Sequence, residues 1–232
     1  MVKLEVLYED NHLLAVNKPA LLATMGVDVS RESLLDRAKA YIAAKYAKPG
    51  NVYLGIVSRL DAPVTGVVLL ARTSKAAARL SESFRKRDVV KEYLAVVEGE
   101  PESPTGELNH FVRHDERHRK VHVTSAQTPD AQEARLRYRV LGSRDGLSLV
   151  QVELLTGRKH QIRVQLAKIG SPVIGDRKYG SRREFSPGIA LHSRRLVVEH
   201  PVKHEPVEIV APLPGSWRRL AVTASAFGPA GE

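Results

Sequence analysis

Residues 58–71 read SRLDAPVTGVVLLA and place a carboxylate and a guanidinium directly ahead of an apolar run. The run that follows Gly66 has the Val- and Leu-rich composition of a buried strand, whereas Pro63 is typical of turns. An aspartate beside a guanidinium is ionised at neutral pH. The stretch therefore predicts that Asp61 acts as a nucleophile or base just before the start of a buried strand. An ordinary turn salt bridge between Arg59 and Asp61 explains the same tripeptide.

The composition limits the class of protein. With 232 residues and a formal net charge of +10, the chain can bury one full core and favours a polyanionic partner, with RNA or DNA first. A basic surface without a partner explains the same charge. The absence of cysteine excludes disulfides, thiolate catalysis and Cys-ligated metal centres. No secretory signal or membrane-spanning run is evident, so we expect a soluble, cytoplasmic protein.

The order of predicted elements favours an α+β fold. Residues 33–46, 74–87 and 160–169 are predicted helices, the first two from apolar residues at three- and four-residue spacing, and Thr73 or Ser74 is a candidate cap of the second. Strand-like segments are 4–8, 13–17, 67–71, 92–97, 134–141, 148–154 and 191–198. This order predicts a mixed, mostly antiparallel sheet with flanking helices.

The chain shows no internal repeat and no low-complexity linker. Residues 100–104 and 181–187 are predicted loops, and residues from about 225 to 232 form a predicted loose tail. We therefore expect one domain over residues 1–232.

A first basic segment, residues 113–120 (RHDERHRK), is predicted to be a charged hairpin arm that contacts phosphates. His110, His114, His118 and His122 recur every four residues, which on a helix would align them as metal ligands. The alternating flanks favour strands instead, on which this spacing gives no compact ligand cluster.

A second basic segment, residues 156–166 (TGRKHQIRVQL), places cations after a glycine and at the start of a predicted helix. Backbone donors and the helix dipole favour an anion there, such as an RNA phosphate. A helix start with solvated cations explains the same pattern.

Both segments and the Asp61 stretch belong to a longer pattern that resembles the RluA-type RNA pseudouridine synthases. The ordered blocks are 7–19 (LYEDNHLLAVNKP), 59–61 with Gly66, 91–99 (KEYLAVVEG), 156–166, 170–180 (GSPVIGDRKYG), 190–193, 199–201 and 211–214. Because the order of motifs is more specific than any single one, coincidence is a poor explanation.

The resemblance implies the pseudouridine synthase fold, with a long mixed sheet and a central catalytic cleft. It implies an isomerase that acts on uridine in ribosomal or transfer RNA without metal or organic cofactor, and a monomer. The pattern starts almost at residue 1, so we expect a stand-alone catalytic domain without an N-terminal S4-like RNA-binding domain.

The resemblance also assigns roles. Asp61 matches the catalytic carboxylate, Arg163 the arginine that pairs with it, and Tyr93 the tyrosine that stacks on the target base. Without the resemblance, Tyr93 reads as an ordinary strand aromatic. Leu191 is expected to pack on the base, and Arg59 to hold the opened RNA. Further substrate-binding candidates are Arg158, Lys159 and His160.

Departures from the family pattern bear on the target RNA. Ser58 stands where a histidine is usual, Ala62 where a basic residue is usual, and Val64 where many relatives have threonine. Lys159 and Gln165 also replace commoner residues. The sequence therefore leaves open which uridine is modified, and whether Asp61 attacks C1′ or takes the C2′ proton.

Two rival functions explain parts of the same sequence. A non-catalytic RNA-binding or ribosome-assembly protein with the same fold explains the charge but not the set of Asp61, Tyr93 and Arg163. A two-metal nuclease needs clustered carboxylates, which the sequence does not show.

Overall fold

A computed structural model describes residues 4–26 and 31–222. The strands, in chain order, are β1 (Glu5–Glu9), β2 (Leu13–Lys18), β3 (Gly55–Ile56), β4 (Thr65–Ala71), β5 (Val90–Glu98), β6 (Thr105–Asp115), β7 (Lys120–Thr124), β8 (Gln132–Arg144), β9 (Leu147–Leu154), β10 (Leu191–Glu199) and β11 (Pro206–Val210). The helices are α1 (Leu34–Lys45), α2 (Ser74–Lys86) and α3 (Gln161–Lys168).

The chain divides into two compact units. The first comprises residues 1–90 and 193–212, and the second residues 91–192 and 213–232. The expected single domain over residues 1–232 stays a prediction. The predicted tail at 225–232 lies outside the described residues.

The first unit is built around β4, all seven residues of which are buried. β2 pairs antiparallel with β4, and β1 with β2. Alternate residues of β4 face two different clusters. Val67 and Leu69 pack with Leu80 of α2, whereas Val68 and Leu70 pack with Ile42 of α1. Because a helix covers each face of the strand, its sequence is continuously apolar.

The two helices of the first unit begin at side-chain caps. Ser33 and Asp36 form a capping box at α1. The Thr73 hydroxyl accepts a hydrogen bond from the Ala76 N–H at α2, which confirms the predicted cap. The structure thus starts both helices within one residue of the predicted position.

The second unit carries an antiparallel array in the order β5-β9-β8-β6-β7. Val164 of α3 packs on Val112, Val121 and Ala134 of this array. β6 and β7 pair as antiparallel strands, so the hairpin predicted around residues 113–120 is confirmed. The α+β class with a mostly antiparallel sheet is also confirmed.

The strand prediction was incomplete, since it missed β3 and β11 and gave no bounds for β6 and β7, the strands expected on either side of the hairpin arm. β3 has only two residues, too few for an alternating pattern to emerge. Within the described ranges, no helix has the length and apolar composition needed to cross a bilayer.

Candidate active site

Asp61 lies, half-buried, in the loop between β3 and β4. The loop turns back on itself because the Val64 N–H donates to the Asp61 carbonyl at 3.0 Å. Val64 itself is buried, whereas Arg59 and Ala62 are exposed. The carboxylate therefore sits where the chain enters the buried strand, as predicted from the sequence.

Gly66 lets β4 begin directly after this loop. Its φ of +110° is a conformation that side chains rarely adopt, and a Cβ there would lie 2.2 Å from the Ser193 carbonyl oxygen. The loop and β4 thus approach the backbone of β10 more closely than any other residue would permit.

Lys18 holds the same loop from the end of β2. Its side chain is 0% exposed, and Nζ donates to the carbonyls of Pro19 at 2.9 Å, Leu22 at 2.8 Å and Ala62 at 3.0 Å. Three acceptors match the three N–H bonds of an ammonium. Burial lowers the pKa of Lys18 to about 7, and the negative charge of Asp61 opposes this effect.

Thr24 contacts the loop on the other side of Asp61. Its hydroxyl donates to the Leu60 carbonyl at 2.8 Å and accepts from the Leu60 N–H at 3.1 Å. Sequence reasoning assigned no role to Thr24 or Lys18, because these bonds join residues 36 and 44 positions apart in the chain. The only available signal was the place of Lys18 in the Asn-Lys-Pro block.

Ser58 has a structural role at the position where a histidine is usual. Its hydroxyl accepts from the Leu69 N–H of β4 at 2.9 Å, which ties the start of the loop to the strand. The serine at this position therefore helps to hold the loop against β4.

The other predicted site residues lie in the second unit. Tyr93 is half-buried in β5, opposite Val152 of β9. Leu191, the first residue of β10, is buried. Their predicted contacts with the base stay predictions.

Arg163 is held in place by Asp176. Its Nε donates to Oδ2 at 2.6 Å and Nη2 to Oδ1 at 2.9 Å, with both side chains buried. The guanidinium also lies over the Tyr179 ring, 5.0 Å from its centroid. A bidentate pair fixes the plane of a guanidinium, so Asp176 orients the Arg163 side chain, a contact that sequence reasoning missed. The predicted pairing of Arg163 with Asp61 stays a prediction.

Each of the three basic residues just before α3 has its own polar contact. The half-buried Arg158 donates from Nε to the Glu133 carbonyl at 2.9 Å. Lys159 is exposed, and its Nζ lies 2.9 Å from Nε2 of His114. His160 begins α3 in the left-handed conformation, with Nδ1 2.7 Å from the Tyr179 hydroxyl. The sequence correctly grouped these cations at a helix start.

The spaced histidines do not form a metal centre. His110 and His114 lie on β6, and His122 lies on β7. Over residues 4–26 and 31–222, no group of three or more potential ligands could hold a metal ion. The hairpin turn uses one of the histidines internally, since Nδ1 of His118 lies 2.7 Å from the Asp115 carboxylate.

Comparison with known proteins places this geometry in a family. The family model of RNA pseudouridylate synthase matches residues 12–168, a span that includes the Asp61 loop, β5 and all of α3. The chain belongs to this family. The resemblance inferred from the sequence is thus confirmed, and the protein is an RNA pseudouridine synthase, an isomerase that converts uridine to pseudouridine in RNA.

Curated relatives of the synthase match along most of its length. An uncharacterized RNA pseudouridine synthase of Bacillus subtilis is 33% identical, with 95% of this chain and 72% of the relative covered. Ribosomal large subunit pseudouridine synthase D of Xanthomonas campestris is 33% identical, with 94% and 69% covered. Ribosomal large subunit pseudouridine synthase C of Rickettsia prowazekii is 29% identical, with 94% and 70% covered.

Solved structures confirm the fold of the synthase. Human RNA pseudouridylate synthase domain containing 4 superposes with a TM-score of 0.77 at 27% identity, over 93% of this chain and 92% of the human one. Domain containing 1 gives a TM-score of 0.72 at 27% identity, over 91% and 84%. The predicted pseudouridine synthase fold is therefore correct.

Proposed function

We propose that this synthase isomerises uridines of large-subunit ribosomal RNA in the cytoplasm, with Asp61 as its single catalytic carboxylate. Relatives named as large-subunit enzymes support the RNA class. The observation that carries the role of Asp61 is its place in a backbone-braced loop at the mouth of β4. Such a loop presents one carboxylate in a fixed direction.

The isomerisation asks little besides a positioned carboxylate. The C1′–N1 glycosidic bond breaks, the uracil turns over, C5 bonds to C1′, and the proton on C5 is lost while N1 gains one. A retaining glycosidase uses two carboxylates, one of which protonates the leaving group. Uracil leaves as a delocalised anion and stays in the pocket, so one carboxylate suffices.

Two routes are open to Asp61. In the first, its oxygen adds to C1′ and forms a glycosyl-enzyme intermediate, which C5 of the turned base then displaces. In the second, it takes the C2′ proton and a glycal forms, to which C5 adds as the proton returns. Both routes need an ionised carboxylate within reach of the ribose.

Family membership supports roles for residues of the second unit. Tyr93 stacks on the target base and assists removal of the C5 proton, while Leu191 packs on the base. Arg163 keeps the catalytic carboxylate ionised and oriented, and its bidentate pair with Asp176 fixes the guanidinium for that task.

The uridine must leave its stack to be modified, at a cost of a few kcal/mol. Phosphate contacts recover part of that cost. Arg59 and Lys159, which are exposed, are suited to such contacts, with Arg158 and His160 beside Lys159.

The test uses ribosomal RNA transcribed with uridine tritiated at C5, because isomerisation releases that hydrogen to water. We expect release with EDTA present, and a fall of about 1,000-fold or more in Asp61→Asn, which removes the charge but little volume. Asp88→Asn, an exposed aspartate of the same unit, serves as the matched control and should keep full activity.

The outcomes separate the alternatives. Undiminished tritium release by Asp61→Asn would refute the proposed mechanism. Loss of release in EDTA would refute the metal-free chemistry. Release from transfer RNA alone would correct the RNA class. Binding of RNA without release from any pool would favour the non-catalytic function.

A further inference from the structure

The two peptide groups that precede Asp61 are both held by one side chain. The Leu60 N–H belongs to the peptide group before Leu60, and the Leu60 carbonyl to the peptide group that joins Leu60 to Asp61. The Thr24 hydroxyl accepts from the first at 3.1 Å and donates to the second at 2.8 Å. Because a peptide group is planar, each bond restrains a whole plane.

The two peptide groups that follow Asp61 are held by other donors. The Asp61 carbonyl accepts from the Val64 N–H at 3.0 Å, and the Ala62 carbonyl accepts from Lys18 at 3.0 Å. The backbone that carries the carboxylate is thus restrained on both sides. Thr24 supplies both bonds to the two peptide groups on the preceding side.

Thr24 is itself well anchored. It is 4% exposed, and its carbonyl accepts from the Leu35 N–H of α1 at 3.1 Å. The neighbouring Ala23 carbonyl accepts from the Leu34 N–H at 2.8 Å. The hydroxyl therefore transmits the position of the start of α1 to the residue before Asp61.

We propose that Thr24 is a positioning residue for the isomerisation: its hydroxyl fixes the two peptide groups before Asp61 and so aims the carboxylate at the ribose. This inference rests on the proposed catalytic role of Asp61. Thr24 acts through Leu60, so its effect belongs to the chemical step, in which a misplacement of about 1 Å costs up to about 100-fold in rate.

The chemistry of the contact selects the informative variants. A hydroxyl donates one hydrogen bond and accepts others, so serine can reproduce both contacts. Valine has nearly the same shape as threonine but neither donates nor accepts. Thr24→Val therefore removes the brace at almost constant volume, and Thr24→Ser keeps it.

The experiment measures kcat and KM for tritium release from ribosomal RNA by the whole 232-residue chain. We expect Thr24→Val to lower kcat by about 10- to 100-fold, with KM for the RNA within about 2-fold. Thr24→Ser should recover kcat to within a few-fold of the unmodified protein. A lasting kcat loss in the serine variant would overturn the proposal, as would an unchanged kcat in the valine variant.

A control separates positioning from general destabilisation. Thr73→Val removes another hydroxyl that holds a backbone N–H of the same unit, that of Ala76 at α2. We expect it to lower the melting temperature while kcat stays within about 2-fold. An equal loss of kcat in Thr73→Val would show that stability alone explains the effect.

Amide hydrogen exchange tests the brace without reference to activity. In Thr24→Val the Leu60 amide should exchange at least about 10-fold faster than in the unmodified protein, and in Thr73→Val it should not. Unchanged exchange would refute the brace even if no RNA were modified. Faster exchange, with no tritium release by the unmodified protein, would leave the brace standing and refute the proposed function.

Discussion

Lys18 is a buried amine beside the negative charge of Asp61, and its surroundings have two opposing effects on its pKa. Burial lowers the pKa of Lys18 to about 7, whereas Asp61 favours the charged form. Its three carbonyl acceptors fit an ammonium, and a neutral amine would leave one of them without a donor. The protonation state of Lys18 therefore affects the hydrogen bonds that hold the Asp61 loop.

This coupling predicts a pH-dependent stability. The unfolded chain keeps the ordinary pKa of a lysine, about 10.5, so between pH 7 and that value the unfolded state binds more protons than the folded one. The contribution of Lys18 to the free energy of unfolding should then rise with pH. In urea unfolding, the free energy of unfolding of the unmodified protein minus that of Lys18→Met should rise by about 2 kcal/mol or more from pH 7 to 9.5.

The exposed Lys48 provides the control for this prediction. Lys48→Met should change the free energy of unfolding by the same small amount at both pH values. A difference between the unmodified protein and Lys18→Met that does not vary with pH would contradict the lowered pKa of Lys18.

Strand β4 decides the architecture of the first unit, since its two faces meet α1 and α2. The close contact between Gly66 and Ser193 seats β4 beside β10. That contact involves backbone atoms, which cannot move aside as the end of a flexible side chain can.

We therefore predict that Gly66→Ala destabilises the protein by about 3 kcal/mol or more, from the clash and the unfavourable φ together. Urea unfolding at neutral pH measures the change. Gly142→Ala is the matched control, because an added Cβ there meets no atom within 4 Å, and it should stay within about 1 kcal/mol. If Gly66→Ala were as stable as the unmodified protein, the backbone of β10 would have to shift at little cost to accommodate the added methyl group.

The elements also show how far the sequence can be interpreted. Helices α1 and α2 were predicted to within one residue because the spacing of their apolar residues and, for α2, the cap Thr73 are local signals. Strand β11 was missed because only one of its five residues is buried. Asp61 was proposed as a site residue from its motif, whereas Lys18 and Thr24 contact the Asp61 loop through bonds that depend on the tertiary fold.

The net charge of +10 is the property of the chain most relevant to an RNA partner. The hairpin of β6 and β7 contributes exposed cations, among them Arg113 and Arg117. Phosphate contacts release counterions, so affinity falls with salt in proportion to their number.

We predict that the dissociation constant for ribosomal RNA rises steeply with salt, with a log–log slope of at least about 3. Replacing Arg113 and Arg117 together by alanine should reduce that slope by about 1 to 2. Lys75→Ala, an exposed cation of α2, should leave it unchanged. Binding that is insensitive to salt would contradict a phosphate-based contact.

Thr24, Lys18 and Val64 restrain the segment around Asp61 through its backbone atoms. The exposed positions of Arg59 and Ala62 are consequently free to change without moving the carboxylate. On the proposed function, a lineage can exchange the residues at these two positions while it inherits the same carboxylate. The unusual alanine at position 62 marks a place where the choice of target can evolve separately from the chemistry.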